Sequence, residues 1–379
     1  MKIGIVGPSF GYGGANLVAA AVGNQLAENH DVYFLPYEDE ANVTAIPSKR
    51  FCSLVQQRSI WQKRIIQVKK GIELGLQHQL TPSRYIDDEF KHLTQIIQQE
   101  KLDVIILNSY VAIVRFCSRI KALFPQIKLI AWLHEDPDYA SEVTKNYRPV
   151  FEESLQQADK VICLSQKAWQ VYQQLNPQTE IIYNPLILAS TGKSDLRQSV
   201  ISFTTRLDIE IKGLDLLCEV AKSLPDPWVI RVAGQGSEKE EAAFNELVNQ
   251  MRVTTKIQFV GPLTGDELVA HYLNSSIFLS TSRTEALPLV MIEALSFGLP
   301  IISFDHSGAK ELLENGKDGI LIADLNTTAM GKAVNRLIEQ PAERQAWQVK
   351  SLKRAKEFSV TTVMKKWERV LNEWREKDE

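Results

Sequence analysis

Short β-rich runs alternate along this chain with longer stretches of mixed, amphipathic character. In the first half they occupy residues 2–6, 31–35, 104–107, 128–133, 160–164 and 181–183. In the second half they fall at 200–204, 228–233, 256–260, 277–280, 300–304 and 320–323. Strands separated by helix-length segments imply parallel βαβ units, because parallel neighbours need a crossover. The pattern therefore predicts an α/β chain of two doubly wound, Rossmann-like parallel-sheet domains. Between the halves, Asn184-Pro185 and the polar stretch 190–199 have turn chemistry and no apolar periodicity, which predicts a linker. The expected domains are 1–185 and 198–358. Residues 359–379 read as a helix with Val363, Trp367, Val370, Leu371 and Trp374 on one side, a face that needs a partner.

Composition adds little to this picture and excludes some alternatives. A chain of 379 residues exceeds what one core organises, consistent with two domains of roughly 150–200 residues. No segment approaches the ~20 apolar residues that span a bilayer, and the start runs from a short strand into glycines rather than reading as a leader. A cytoplasmic protein is expected. Cys52, Cys117, Cys163 and Cys218 lie far apart with no Cys-x-x-Cys pair, so neither disulfides nor a structural metal is expected. A net charge of −3 gives no global attraction to nucleic acid. One local exception is the stretch 49–70, which carries Lys49, Arg50, Arg58, Lys63, Arg64, Lys69 and Lys70 without an acid. Phe51, Leu54, Ile60, Trp61, Ile65 and Ile66 are interleaved with those cations. Such a segment suits an anionic membrane surface, a phosphate-rich acceptor polymer, or a solvated face whose Trp61 and isoleucines pack on the first domain.

Two loops could carry chemistry. The glycines of the segment 7–14 follow the first strand and precede an apolar helix, so Gly13 and Gly14 would let backbone amides approach an anion. The spacing does not give G-x-G-x-x-G, and no acid ends the second strand, which disfavours a dinucleotide cofactor. The richer stretch is 280–300. A strand leads into a loop bearing Glu285, Pro288 suits a first helical turn, and Gly298 with Pro300 ends the helix that carries Glu293. A diphosphate could sit at that helix N-terminus while the two carboxylates accept hydrogen bonds from sugar hydroxyls.

Glu285 and Glu293, with seven residues between them inside EALPLVMIEA, resemble the signature of family 4 retaining glycosyltransferases of GT-B fold. Arg206 with Lys212-Gly213 in RLDIEIKG is similar to that family's basic pair, which contacts the donor diphosphate. Gly234 and Gly236, Gly261, Asp305 with Gly308, Gly13-Gly14, and His134 in AWLHEDP match in order along essentially the whole chain. The resemblance implies two domains facing across a cleft, with the last helix crossing back to the first. It implies a nucleotide diphosphate sugar as co-substrate, uridine being the commonest nucleoside, and no cofactor. It further implies donor contacts from Gly13, Gly14, Arg206, Lys212, Gly234, Leu263, Glu285, Ala286, Leu287, Pro288, Leu289 and Glu293. His134, Arg206, Lys212 and Glu285 are then the catalytic set.

The chemistry suits these residue types. Breaking the anomeric carbon–oxygen bond leaves extra negative charge on the nucleotide diphosphate, and Arg206 and Lys212 can stabilise it without a metal. His134 would bond a donor-sugar hydroxyl. Asp136-Pro137-Asp138 superficially reads as an Asp-x-Asp metal motif, but the donor signatures all lie in the second half, so no metal is expected. Asn108, Ser109, Tyr110 and Asp136 could line the acceptor side, a plain turn being the alternative for the first three.

The expected activity is retaining, metal-independent transfer of a hexosyl unit to a saccharide, lipid-linked or polymer acceptor in cell-envelope or surface glycan synthesis. The expected site of action is cytoplasmic or peripheral at the inner face of the plasma membrane. A nucleotide-sugar epimerase or hydrolase of the same fold, or a non-catalytic paralogue acting as a binding partner, are the competing readings.

Overall fold

A computed structural model describes residues 1–11, 13–42, 46–189 and 192–375. Among the described residues twelve strands form two six-stranded parallel sheets. The first contains β1 (Lys2–Gly7), β2 (Asp31–Pro36), β3 (Val104–Asn108), β4 (Lys128–Trp132), β5 (Lys160–Cys163) and β6 (Thr179–Ile181), in the order β2-β1-β3-β4-β5-β6. The second contains β7 (Val200–Arg206), β8 (Val229–Gln235), β9 (Ile257–Gly261), β10 (Ile277–Ser280), β11 (Ile301–Phe304) and β12 (Ile320–Ile322), in the order β12-β11-β10-β7-β8-β9. Every run read from the pattern is a strand, although β6 sits two residues earlier than expected.

The chain divides into two compact units, residues 1–185 with 364–379, and residues 186–363. In unit 1 the core gathers Val6, Leu35, Ile105, Leu107, Leu129 and Val161 from the sheet with Ile113, Phe116 and Ile120 from helix Tyr110–Leu123. The last helix, Val360–Arg375, packs its apolar side on the opposite face of this sheet, where the Trp367 ring meets Trp132 at 4.7 Å, edge to face. The contact is framed by charge. Lys160, almost fully buried, donates to Glu180 at 2.6 Å and Glu373 at 2.8 Å, and His30 meets Glu368 at 3.0 Å.

Unit 2 has an equivalent core, built on Ile201, Phe203, Ile230, Val232, Leu279 and Ile302 with Leu214, Leu217 and Phe244. The segment expected to be a linker behaves differently. Ser190 and Thr191 lie outside the described residues, but Ser194 and Leu196 are buried against unit 2. The Ser194 amide donates to the Phe297 carbonyl at 2.9 Å, and Gln348 donates to the Ser194 carbonyl at 2.8 Å. Polar composition hid this, because the segment is held by hydrogen bonds rather than by an apolar stripe.

Helix Ile60–Gln77 forms within the basic stretch and is started by a capping box between Ser59 and Gln62. Trp61, Ile65, Val68, Ile72 and Leu76 are all exposed, as is Ile60 at the helix start, so the reading that packed Trp61 and the isoleucines on the first domain is overturned for Ile60, Trp61 and Ile65. The reason is rotational: at about 100° per residue Trp61, Ile65, Val68, Ile72 and Leu76 share one face, while Lys70 lies opposite, Glu73 lies to its side, and both turn inward.

Candidate functional site

In unit 2, β7 is flanked by β10 on one side and β8 on the other, and successive strands run outward in both directions. The connections that follow β7 and β10 therefore lead in opposite directions along the sheet, and the strand ends at this switch point are where open α/β sheets take ligands. β7 ends at Arg206, which is exposed and makes no ion pair among the described residues. Asp208 then caps a single turn, Ile209–Lys212, by accepting from the Ile211 amide at 2.8 Å. Gly213 follows in the left-handed region (φ 62°), where an added Cβ would stand 2.1 Å from the Thr281 carbonyl oxygen. Only glycine lets the first loop lie this closely on the second. The fit is fastened by Thr281 Oγ1 donating to the Lys212 carbonyl at 3.0 Å, and by Arg283 forking onto Asp215 at 2.9 and 2.7 Å.

The result is an ion pair: Lys212 Nζ donates to Glu285 Oε1. Ser282 Oγ donates to the same oxygen at 3.2 Å, and Glu285 Oε2 carries no hydrogen bond among the described residues. The Glu285 main chain is held as firmly, its carbonyl accepting from the Gly308 amide at 3.0 Å and from Ser307 Oγ at 3.2 Å. A Cβ at Gly308 would come within 2.6 Å of that carbonyl. Ala286, buried Leu287 and Pro288 lead into helix Leu289–Ser296, with Pro288 as the N-cap residue rather than inside the first turn. Glu293, on that helix, accepts from Tyr272 Oη at 2.7 Å, and burial pushes its carboxyl up to about 7. Gly234, at the end of β8, would bring a Cβ within 2.2 Å of the Thr205 carbonyl, and half-exposed Leu263 follows β9.

Unit 1 gathers a second group at the ends of β3 and β4. His134 Nε2 donates to Asn108 Oδ1 at 2.7 Å, and its ring stands 4.5 Å from Trp132. Burial lowers the imidazole to about 3, although the residue keeps part of its surface open. It is neutral at physiological pH, with the proton on Nε2. His134 Nδ1 and Asn108 Nδ2 are enclosed and have no hydrogen-bond partner among the described residues, an arrangement folded proteins seldom tolerate without a ligand or water. Ser109 bridges β3 to the next helix at a positive φ of 83°.

Glu135 was passed over in the sequence. Its carboxylate accepts from the His134 amide at 3.1 Å and from the amides of Glu135 and Tyr110, which places it at the N-terminus of helix Tyr110–Leu123. Burial outweighs these bonds and raises it to about 7. Its one sequence signal was adjacency to His134. Asp136 caps helix Pro137–Val143, and Lys167 bonds Asp136 at 3.0 Å and Asp138 at 2.7 Å, so an ammonium ties the two carboxylates together. Among the described residues no three His, Cys, Asp or Glu side chains are grouped as a metal site requires. Gly13 (φ 112°) precedes helix Gly14–Leu26, whose first turn has no side-chain cap; Tyr12 lies outside the described residues.

Two protein families match the chain in tandem: Glycosyltransferase Family 4 over residues 12–189 and Glycosyl transferases group 1 over residues 190–354. This chain belongs to the group 1, family 4 glycosyltransferases. It is 29% identical to an uncharacterized glycosyltransferase of Haemophilus influenzae over 290 residues, covering 74% of this chain and 79% of that one. It is 21% identical over 389 residues to a Campylobacter jejuni α-1,4-N-acetyl-D-galactosaminyltransferase, covering 98% of this chain and 99% of that one. That enzyme's name gives a diNAcBac-PP-undecaprenol glycan as its acceptor. Among solved structures, Thermosynechococcus elongatus sucrose-phosphate synthase superposes with a TM-score of 0.78 at 15% identity, covering 98% of each chain. Anabaena HepE in complex with UDP-glucose superposes with a TM-score of 0.77 at 18% identity, covering 98% of this chain and all of that one. The glycosyltransferase has the GT-B fold.

Proposed function

We propose that this glycosyltransferase is a retaining, metal-independent hexosyltransferase. Unit 2 takes the sugar from a nucleotide diphosphate sugar, a UDP-sugar first among them, and unit 1 holds a saccharide, lipid-linked or polymer acceptor of the cell envelope or surface glycan. The observation that carries this reading is the Lys212–Glu285 pair at the switch point between β7 and β10, with Arg206 ending β7. As the bond from the anomeric carbon to the phosphate oxygen breaks, Arg206 and Lys212 take up the charge gathering on the diphosphate. Glu285 aims Lys212 through Oε1 and offers Oε2 to a sugar hydroxyl. Glu293 accepts from the ribose, and Gly13, Gly14, Gly234 and Leu263 with the segment 286–289 complete the donor contacts. The acceptor proton leaves on the departing phosphate oxygen, because His134 holds too low a basicity to take it. His134 instead supplies hydrogen bonding, with Asn108, Tyr110 and Asp136 on the acceptor side.

The UDP-glucose bound by HepE supports a uridine donor, and the polyprenyl-linked acceptor named for the Campylobacter relative supports a lipid-linked one. Among the described residues no helix is long and apolar enough to cross a membrane. Helix Ile60–Gln77 supplies the other route: its exposed apolar face, flanked by exposed Arg64 and Lys69, complements an anionic bilayer surface. Incubation with a panel of nucleotide sugars, with and without acceptor and with and without EDTA, tests the catalytic reading. Acceptor-dependent release of nucleoside diphosphate that persists in EDTA is expected; release of free sugar or of an altered donor alone contradicts it.

A further inference from the structure

The inward face of helix Ile60–Gln77 covers a cavity of about 210 Å³ in unit 1. At about 30 Å³ for a water-sized group, this is room for several heavy atoms. Arg58, Lys70 and Arg115 line it together with Glu89, Tyr85 and Tyr147. Two of the three cations are already matched. Arg58 forks onto Glu89 with both bonds at 2.6 Å, and Arg115 reaches Glu38 at 2.8 Å while lying 4.9 Å from the Tyr37 ring. Lys70 is the surplus charge: it makes no ion pair or hydrogen bond among the described residues, and its ammonium rests 5.3 Å from the Tyr85 ring. Burial, then the like charges of Arg115 and Arg58, hold its basicity below the ordinary lysine range. A lysine half removed from water beside two guanidiniums is costly unless an anion completes the group.

We infer that this cavity is a phosphate subsite for the acceptor, with Lys70 as its unpaired ligand and Arg58 and Arg115 as supporting charges. The inference rests on the proposed acceptor role of unit 1 and names the chemical class the acceptor must carry. Tyr147 connects the cavity to the other group in this unit, since it lines the wall and also feels the charge of Glu135, the neighbour of His134. A phosphate seated here leaves an attached saccharide to run along Tyr147 toward the ends of β3 and β4. The phosphate can be borne by a lipid held at the exposed face of the same helix, or by a soluble acceptor.

Binding of inorganic phosphate and of farnesyl phosphate, followed by ³¹P NMR titration, tests the subsite and separates the two sources. The full chain carries Arg206→Ala and Lys212→Ala throughout, so that the donor side does not compete. Both probes are expected to bind, Lys70→Gln to weaken each about tenfold or more, and Lys70→Arg to restore binding. Tighter binding of farnesyl phosphate that is lost in Trp61→Gln/Ile65→Gln assigns the phosphate to a lipid. Equal affinities that both depend on Lys70 assign it to a soluble acceptor. Absence of binding by either probe, or the same affinity in Lys70→Gln as with Lys70 present, overturns the subsite. No turnover is read, so this result stands apart from the nucleotide-sugar panel.

Discussion

Lys212 and Glu285 lie 73 positions apart in the chain and are joined by an ion pair where the loops after β7 and β10 meet at the switch point. The pair needs a specific backbone, because Gly213 and Gly308 each occupy a place where a Cβ would collide with the carbonyl of the opposing loop. The side chains are thus presented by two close main-chain contacts. If Glu285 both aims Lys212 and accepts from the sugar, Glu285→Gln keeps the shape while losing the charge and the second acceptor site. A fall in kcat/KM for the donor of about 10²-fold is expected, the scale of one lost transition-state contact. Steady-state kinetics alongside a thermal melt check it.

Two glycine substitutions should move stability in opposite directions. Gly213→Ala forces a Cβ into the left-handed region and against Thr281, so a loss of at least about 2 kcal/mol is expected. Gly71→Ala, on the exposed helix Ile60–Gln77 with no heavy atom within 4 Å of the new Cβ, should gain up to about 1 kcal/mol from helix propensity. Chemical denaturation measures both. Equal and opposite signs to these contradict the backbone argument.

The pH dependence has a defined sign. Glu135 and Glu293, each raised to about 7, hold protons in the folded chain that the unfolded chain has released above its ordinary carboxyl value of 4.5. Their contribution to stability is complete below 4.5 and is lost as pH rises through 7. His134, lowered to about 3, acts oppositely: stability falls as pH drops below 6.5 toward 3, where only the unfolded imidazole is charged. Glu293→Gln should therefore raise Tm at pH 8 by a few degrees more than at pH 5, as read by calorimetry. A larger gain at pH 5 contradicts the raised carboxyl.

The strands were legible in the sequence because alternation is local, and the switch-point residues stood out through their resemblance to a family signature. Arg206 ends β7, and Lys212 and Glu285 stand in the loops beyond β7 and β10, whereas Glu293 lies inside the apolar helix Leu289–Ser296. Ser282 and Tyr272, which bond the two glutamates, were not legible, since a hydroxyl in a loop or on a helix has no period to reveal its partner. Glu135 was missed for the same reason, its amide partner on Tyr110 being reached through the fold. The orientation of helix Ile60–Gln77 was hidden by composition: most of its apolar residues mark the outside, and two charged groups, Lys70 and Glu73, share the packed side with Ile66 and Leu74.

Membrane association should depend on that outward face. Trp61 is 71% exposed and Leu76 79%, with Arg64 5.5 Å from the Trp61 ring. Flotation with vesicles containing anionic lipid is expected to carry the protein, and neutral vesicles to carry it less. Lys63→Gln/Arg64→Gln/Lys69→Gln should weaken the anionic preference by about 1 kcal/mol per charge removed. Identical flotation of this variant and the unaltered protein on anionic vesicles would retire the bilayer reading.

The central claim is that Lys212 stabilises the departing diphosphate, and the rate of nucleoside diphosphate release by Lys212→Ala tests it most directly. With the best donor of the panel and a melt showing the fold intact, kcat should fall about 10²- to 10³-fold. A kcat unchanged from the unaltered enzyme, with donor and acceptor saturating, would contradict the account.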